Sequence, residues 1–188
     1  MERTHPGTRA VLSEENPAVG LKFLSGVFAV TSGLTLSQVK ELSGVEAPAL
    51  QNWIKRGWVS SPVGKRYNID QVARILIINM LRDTLQMEKI AFLLSYINGS
   101  VYSREDDIIP ESQLYDYICR IIFTFDGEHP PDSETLRLSI LEQTRDYEER
   151  LPGSGVRLRK ALQVILLSYF AARLKGRAEG ELALLREE

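Results

Sequence analysis

The tightest constraint on this chain is the density of helix start and stop signals between Leu34 and Tyr67. Thr35 stands three residues ahead of Gln38, and Leu34 is placed to meet Val39, which together give a capping box and a hydrophobic staple. A first helix therefore starts at Thr35, buries Val39 and Leu42 and stops at Ser43-Gly44, because glycine takes the left-handed conformation that ends a helix without steric cost. After Val45 a second helix opens with Pro48 in its first turn. The helical period puts Leu50, Trp53 and Ile54 on its inner face and Pro48, Gln51, Asn52, Lys55 and Arg56 on its outer face. Beyond Gly57, residues 58–67 read as two short extended pieces around a turn that contains Pro62 and Gly64 and is tipped by Lys65 and Arg66. Helix, tight turn, helix and basic hairpin in that order is the layout of a winged helix-turn-helix. The expected fold is mainly α, with a small β-wing.

That layout suits double-stranded DNA. Gln and Asn can hydrogen-bond a base edge at two points, and Lys and Arg can meet guanine or phosphate. On this reading helix 48–56 lies in the major groove, with Gln51, Asn52 and Lys55 as base readers, and wing 58–67 lies on the backbone, where Arg56, Lys65, Arg66 and Tyr67 make contact. Each feature has a plainer reading. The outer face of residues 48–56 is also what any solvated amphipathic helix presents. Tyr67 is suited equally to a phosphate contact and to anchoring the hairpin on the core.

Two further helices come next. Asn68, with Gln71 three residues on, opens one that carries Ile69, Val72, Ala73, Leu76, Ile77 and Met80 along one broad face, and a second runs from about Met87 through Ile90, Leu93, Leu94 and Ile97. In this order of parts the chain resembles the MerR family of transcription regulators. The likeness is carried by Leu36-Ser37-Gln38-Val39, Gly44-Val45, Leu50-Gln51-Asn52-Trp53, Arg66-Tyr67, Asp70-Gln71-Val72 and Leu81-Arg82-Asp83. It is most similar to a bacterial MerR-like family known as a domain of unknown function, through residues 51–57, 64–68 and 73–81. The resemblance implies a DNA-binding domain over 34–99 and a regulator of transcription. Two departures limit what carries over. Asn98-Gly99-Ser100 breaks the chain where a MerR regulator continues into its long pairing helix, so the family's dimer geometry is not implied. The second helix has Glu46-Ala47 where a Ser, Thr or Asp cap is usual, and Glu46 would repel phosphate.

Charge divides the chain. Over 188 residues the net charge is −2, but residues 35–99 hold 8 Lys and Arg against 5 Asp and Glu, whereas residues 100–151 hold 5 against 13. An acidic second part would be repelled by a DNA backbone and should face away from it. It is expected to be a helical bundle spanning 100–188, serving dimerisation, effector sensing or both. One helix carries Leu114 to Phe125, a second spans 133–149, and a last long one runs from about Val156 through Leu174. The last is apolar over more than half its circumference, which fits burial in the bundle or against a second copy. DNA readers of this type commonly form homodimers. The first 33 residues are expected to be an extension, polar and loose over 1–16, then a short glycine-weakened helix that packs on the domain or swaps onto a partner.

Catalytic and metal readings find few residues. His5 and His129 have no ligand-spaced partners, Glu105-Asp106-Asp107 lacks calcium-loop spacing, and Cys119 sits inside a strong helix, where a small buried hydrophobe is the usual role. Gly153-Ser154-Gly155 could hold an anion at a helix start but lacks the rest of a dinucleotide fingerprint. Ala161 to Ala172 is too short to span a bilayer, which takes roughly 20 residues. The expectation is a cytoplasmic DNA-binding regulator, not an enzyme, with no cofactor or metal and no membrane partner. Two alternatives stay open: a protein-interaction module on the same scaffold, and a protein that senses a small-molecule effector among Tyr115, Tyr117, Tyr147, Tyr169 and Phe170.

Overall fold

The computed structural model describes residues 4–12, 18–125 and 130–186. Among them the chain forms eight helices: α1 Gly20–Val27, α2 Leu36–Ser43, α3 Ala47–Lys55, α4 Ile69–Leu81, α5 Met87–Asn98, α6 Glu111–Ile122, α7 Ser133–Gln143 and α8 Ser154–Leu184. The fold is mainly helical, as expected.

The α2–α3 unit arises from its local chemistry. The Gln38 N–H donates to the Thr35 hydroxyl, and the Thr35 N–H donates to Gln38 Oε1 at 2.9 Å, so both halves of the capping box are present. Gly44, at φ 72°, closes α2 in the left-handed region. The Ser43 hydroxyl then shapes the turn, donating to the Val39 carbonyl and accepting from the Val45 N–H.

A second capping box, Asn68 with Gln71, opens α4. The sequence predicts one broad apolar face here, yet Ile75, Ile78 and Leu81 are buried too, because α2, α5, α6 and α8 pack around this helix. Its polar side chains are therefore enclosed and must find partners within the protein. Asn79 Nδ2 donates to the carbonyls of Ser43 and Gly7. Gln71 Nε2 donates to those of Ser60 and Ser61. Arg74 donates from Nε to the Trp58 carbonyl at 2.6 Å and from Nη1 to Glu111 on α6 at 2.8 Å.

Those bonds explain why the predicted β-wing does not form a sheet. Between α3 and α4 the backbone makes isolated antiparallel bridges only, Leu34 with Tyr67 and Val63 with Arg66. The carbonyls of Trp58, Ser60 and Ser61 accept from α4 side chains, and Pro62 has no N–H, so little remains for a ladder.

Asn98-Gly99-Ser100 does end α5, and the side chain of Asn98 braces the loop that returns the chain to α6. It donates to the Ile109 carbonyl and accepts from the Ile108 and Ile109 N–H groups. α7 ends at Gln143, short of the predicted 149. The Thr144 hydroxyl turns back to the Ile140 carbonyl, and Arg120 reaches from α6 to the Gln143 carbonyl and to Asp146. α8 begins at Ser154, two residues before Val156, and as far as Phe170 it buries one face, Leu158, Ala161, Leu162, Ile165, Leu166 and Phe170, while Val156, Val164 and Leu167 on the other stay exposed. From Ala171 to Arg186 it is largely exposed, Leu174 included.

Residues 4–12 differ most from expectation. The sequence predicts a loose segment, but the Tyr115 hydroxyl donates to the Pro6 carbonyl, the Arg9 N–H donates to the Leu42 carbonyl, and His5 stacks on Phe23 of α1 at 3.7 Å. α1 itself packs on α6.

Four acidic side chains accept from N–H groups at helix N-termini, which are electron-poor. Asp116 accepts from the Leu21 N–H in α1, Asp70 from Ser112 in α6, Asp132 from Glu134 and Thr135 in α7, and Glu149 from Gly155 in α8.

Candidate nucleic-acid interface

α3 buries Leu50 and Trp53, and this fixes which way its other side chains point. Gln51, Asn52, Lys55 and Arg56 are all exposed. Among the described residues no hydrogen bond or ion pair within the chain holds the side chains of Gln51, Asn52 or Lys55. Arg56 lies over the Trp58 ring at 5.3 Å, a cation–π contact that steadies it at the C-terminal end of α3.

The Val63–Arg66 turn projects from the segment after α3. Gly64 and Lys65 adopt φ 55° and 60°, so both central residues are left-handed, the pattern of a tight two-residue hairpin turn. Val63 and Arg66 close it with reciprocal backbone bonds of 3.0 and 3.1 Å. Lys65 is exposed at its tip. Arg66 is exposed but engaged, donating to the Gly33 carbonyl at 2.8 Å and to the Thr31 hydroxyl. Tyr67 is 3% exposed, and burial raises its hydroxyl pKa. It packs beneath the turn, the anchoring role, and does not stand beside the cations.

Glu46, at the start of α3, is met by Lys40 of α2 at 2.6 Å, which offsets its negative charge on this face. Sequence reasoning missed the residues that set the orientation of the unit. Gln71 and Arg74 hold the segment after α3, and Asn79 holds the α2–α3 turn. The signal for Arg74 is a single cation in the middle of an apolar helix. Burial lowers its pKa while Glu111 opposes that shift.

Other candidate groups are occupied or apart. The hydroxyls of Tyr115, Tyr117 and Tyr147 bond to Pro6, Asp146, and Ile108 with Ser154; Tyr115, Tyr117 and Phe170 are buried in the core, while Tyr147 and Tyr169 are half-buried and border separate surface depressions, so the five rings do not line one shared cavity. Burial pushes the Cys119 thiol up to about 12, which keeps it protonated and unreactive. The start of α8 is occupied by Glu149. His129 lies outside the described residues. Among the described residues no group of three or more His, Cys, Asp or Glu is arranged to hold a metal ion, and no helix is long and apolar enough to cross a membrane.

Residues 13–118 match the family described as a domain of unknown function, DUF1836. The chain belongs to the DUF1836 family. The matched region takes in α1 to α5 and most of α6, so the exposed face of α3, the basic turn and their supports on α4 all lie within the DUF1836 portion. The chain is also 24% identical over 156 residues to the "Uncharacterized protein YkrK" of Bacillus subtilis (strain 168). That alignment covers 76% of this chain and 66% of the relative, so the chain spans just under two thirds of the relative's length. No solved structure matches.

Proposed function

We propose that this DUF1836 protein is a cytoplasmic, sequence-specific DNA-binding regulator of transcription, a MerR-like helix-turn-helix reader with a basic turn in the place of the wing, joined to a helical body. The observation that carries the reading is the outward row of Gln51, Asn52 and Lys55 on α3, whose side chains have no partner within the described chain. α3 enters the major groove with this row against base edges. Arg56 and the Lys65-Arg66 turn meet phosphates and fix the register. Neutralisation of Glu46 by Lys40 favours the approach of a polyanion. The chain binds as a homodimer to two half-sites, and its activity is binding rather than catalysis.

Selection from random duplex DNA, followed by salt titration, tests this. The expected result is an enriched site and, for Lys65→Ala/Arg66→Ala, a salt slope shallower by about one unit for each phosphate no longer met. Lys65→Ala alone controls for the Arg66 bond to Gly33. If no sequence is enriched and residual binding ignores these cations, the reading fails.

A further inference from the structure

The exposed end of α8 is self-complementary. Ala171, Leu174, Ala178, Leu182 and Leu185 fall on one face by the helical period, and all five are exposed. No other described segment covers this face, and Gly176 and Gly180 each weaken the helix by about 1 kcal/mol relative to Ala. A helix stretch of this length draws most of its stability from packing. The flanks show what could pack there. Lys175 and Glu179, 3.8 Å apart, stand on one side of the apolar stripe, Arg177 and Glu181 on the other.

We propose that the C-terminal half of α8 is a homodimer seam in which two copies pair antiparallel about a two-fold axis at Ala178. In that register Leu174 meets Leu182 of the second copy, Ala171 meets its Leu185, and Ala178 meets its own counterpart, so large side chains face small ones or each other across a continuous seam. Lys175 lies near Glu179 of the second copy on one flank, and Arg177 near its Glu181 on the other, each contact repeated by symmetry. On each flank the antiparallel register sets two unlike contacts against one like contact, of Glu179 or Arg177 with its own counterpart; a parallel pair reverses the balance, with Lys175 near Arg177 and Glu179 near Glu181 against one unlike contact of Arg177 with Glu179. Charge complementarity thus selects both the occupant, a second copy, and its direction. The seam stands without the DNA reading and is tested without DNA.

Sedimentation of the full chain across a concentration series should show a reversible dimer. Leu174→Lys/Leu182→Lys should be monomeric at the same concentrations and keep the near-ultraviolet circular dichroism of the buried core, to which neither residue belongs, while its unfolding midpoint loses the dependence on protein concentration that the wild type shows. Lys175→Glu should weaken the dimer and Lys175→Glu/Glu179→Lys should restore it. On oxidation, Ala178→Cys should cross-link to itself and Ala171→Cys should not, the native Cys119 being buried. A monomeric wild type, a dimer that survives the lysine pair, or Ala171→Cys cross-linking as readily as Ala178→Cys would each overturn the proposal.

Discussion

α3 with its C-cap residue and α4 each carry Gln, Asn and Arg, and they use them in opposite ways. On α4, Gln71, Arg74 and Asn79 are surrounded by other elements, and each bonds to a backbone carbonyl of a neighbouring segment. On α3, Gln51 and Asn52 face solvent with no partner in the described chain, and Arg56 at its end touches only Trp58. Residue type does not separate the two sets; enclosure does. An enclosed amide or guanidinium left without a partner costs stability, so evolution of the core fixes it to one geometry. An exposed one costs almost nothing unpaired and is free to meet an external acceptor or donor. The set on α4 aims the set on α3.

The energetic gap between the two helices is widest at Arg74. Its ion pair with Glu111 is nearly enclosed, with side-chain exposures of 7% and 11%. Arg74→Ala strands a buried carboxylate and should cost about 3–5 kcal/mol in denaturant unfolding. Arg74→Met/Glu111→Leu should recover part of the loss, because the apolar pair needs no ionic partner while the Trp58 carbonyl still lacks its Arg74 donor. If the single variant unfolds like wild type, α4 is not the hub that its bonding suggests.

Asn52→Ala tests the opposite side with a smaller effect. Unfolding should be unchanged, since no partner in the described chain is removed. Discrimination between the selected DNA site and a single-base variant should fall by about 1–3 kcal/mol, the worth of one bidentate base contact. Equal weakening across all sequences would move Asn52 from base reader to backbone contact.

The elements made of neighbouring residues are legible in the sequence. Capping boxes at Thr35 and Asn68, the Gly44 stop and the Asn98-Gly99 break depend on atoms a few residues apart, and all are present. Features that depend on distant partners are not legible. Arg74 and Glu111 are 37 residues apart, the Pro6 carbonyl and Tyr115 are 109 apart, and neither pairing leaves a local pattern. The expected β-wing fails for the same reason. Its turn does form, closed by Val63 and Arg66, but Gln71 and Arg74 take the carbonyls a ladder would need. In the candidate site, exposure of Gln51, Asn52 and Lys55 is dictated by the helical period, while burial of Tyr67 requires the core beneath it.

The smallest effect concerns residues 4–12, which the Asn79 bond to the Gly7 carbonyl ties to α4. His5 in this segment is 5% exposed, is stacked on Phe23, and its Nδ1 has no hydrogen-bond partner among the described residues. Burial lowers its pKa from the ordinary 6.5, because the imidazolium would lose hydration without gaining an acceptor. The unfolded chain therefore takes up the proton first. His5 contributes full stability above pH 6.5, and the contribution declines as pH falls below 6.5 until the folded state is protonated as well. Replacing His5 with Phe keeps an aromatic ring on Phe23 and removes the titration. Plotted as the difference in unfolding midpoint, wild type minus His5→Phe, the curve should be flat above pH 6.5 and bend downward below it. A curve flat throughout would mean that His5 titrates alike in both states and that the segment does not seat on α4 in solution. Because the bonds of this segment run to Leu42, Asn79 and Tyr115 and, among the described residues, none to α3, the substitution should leave the salt slope of DNA binding where it was.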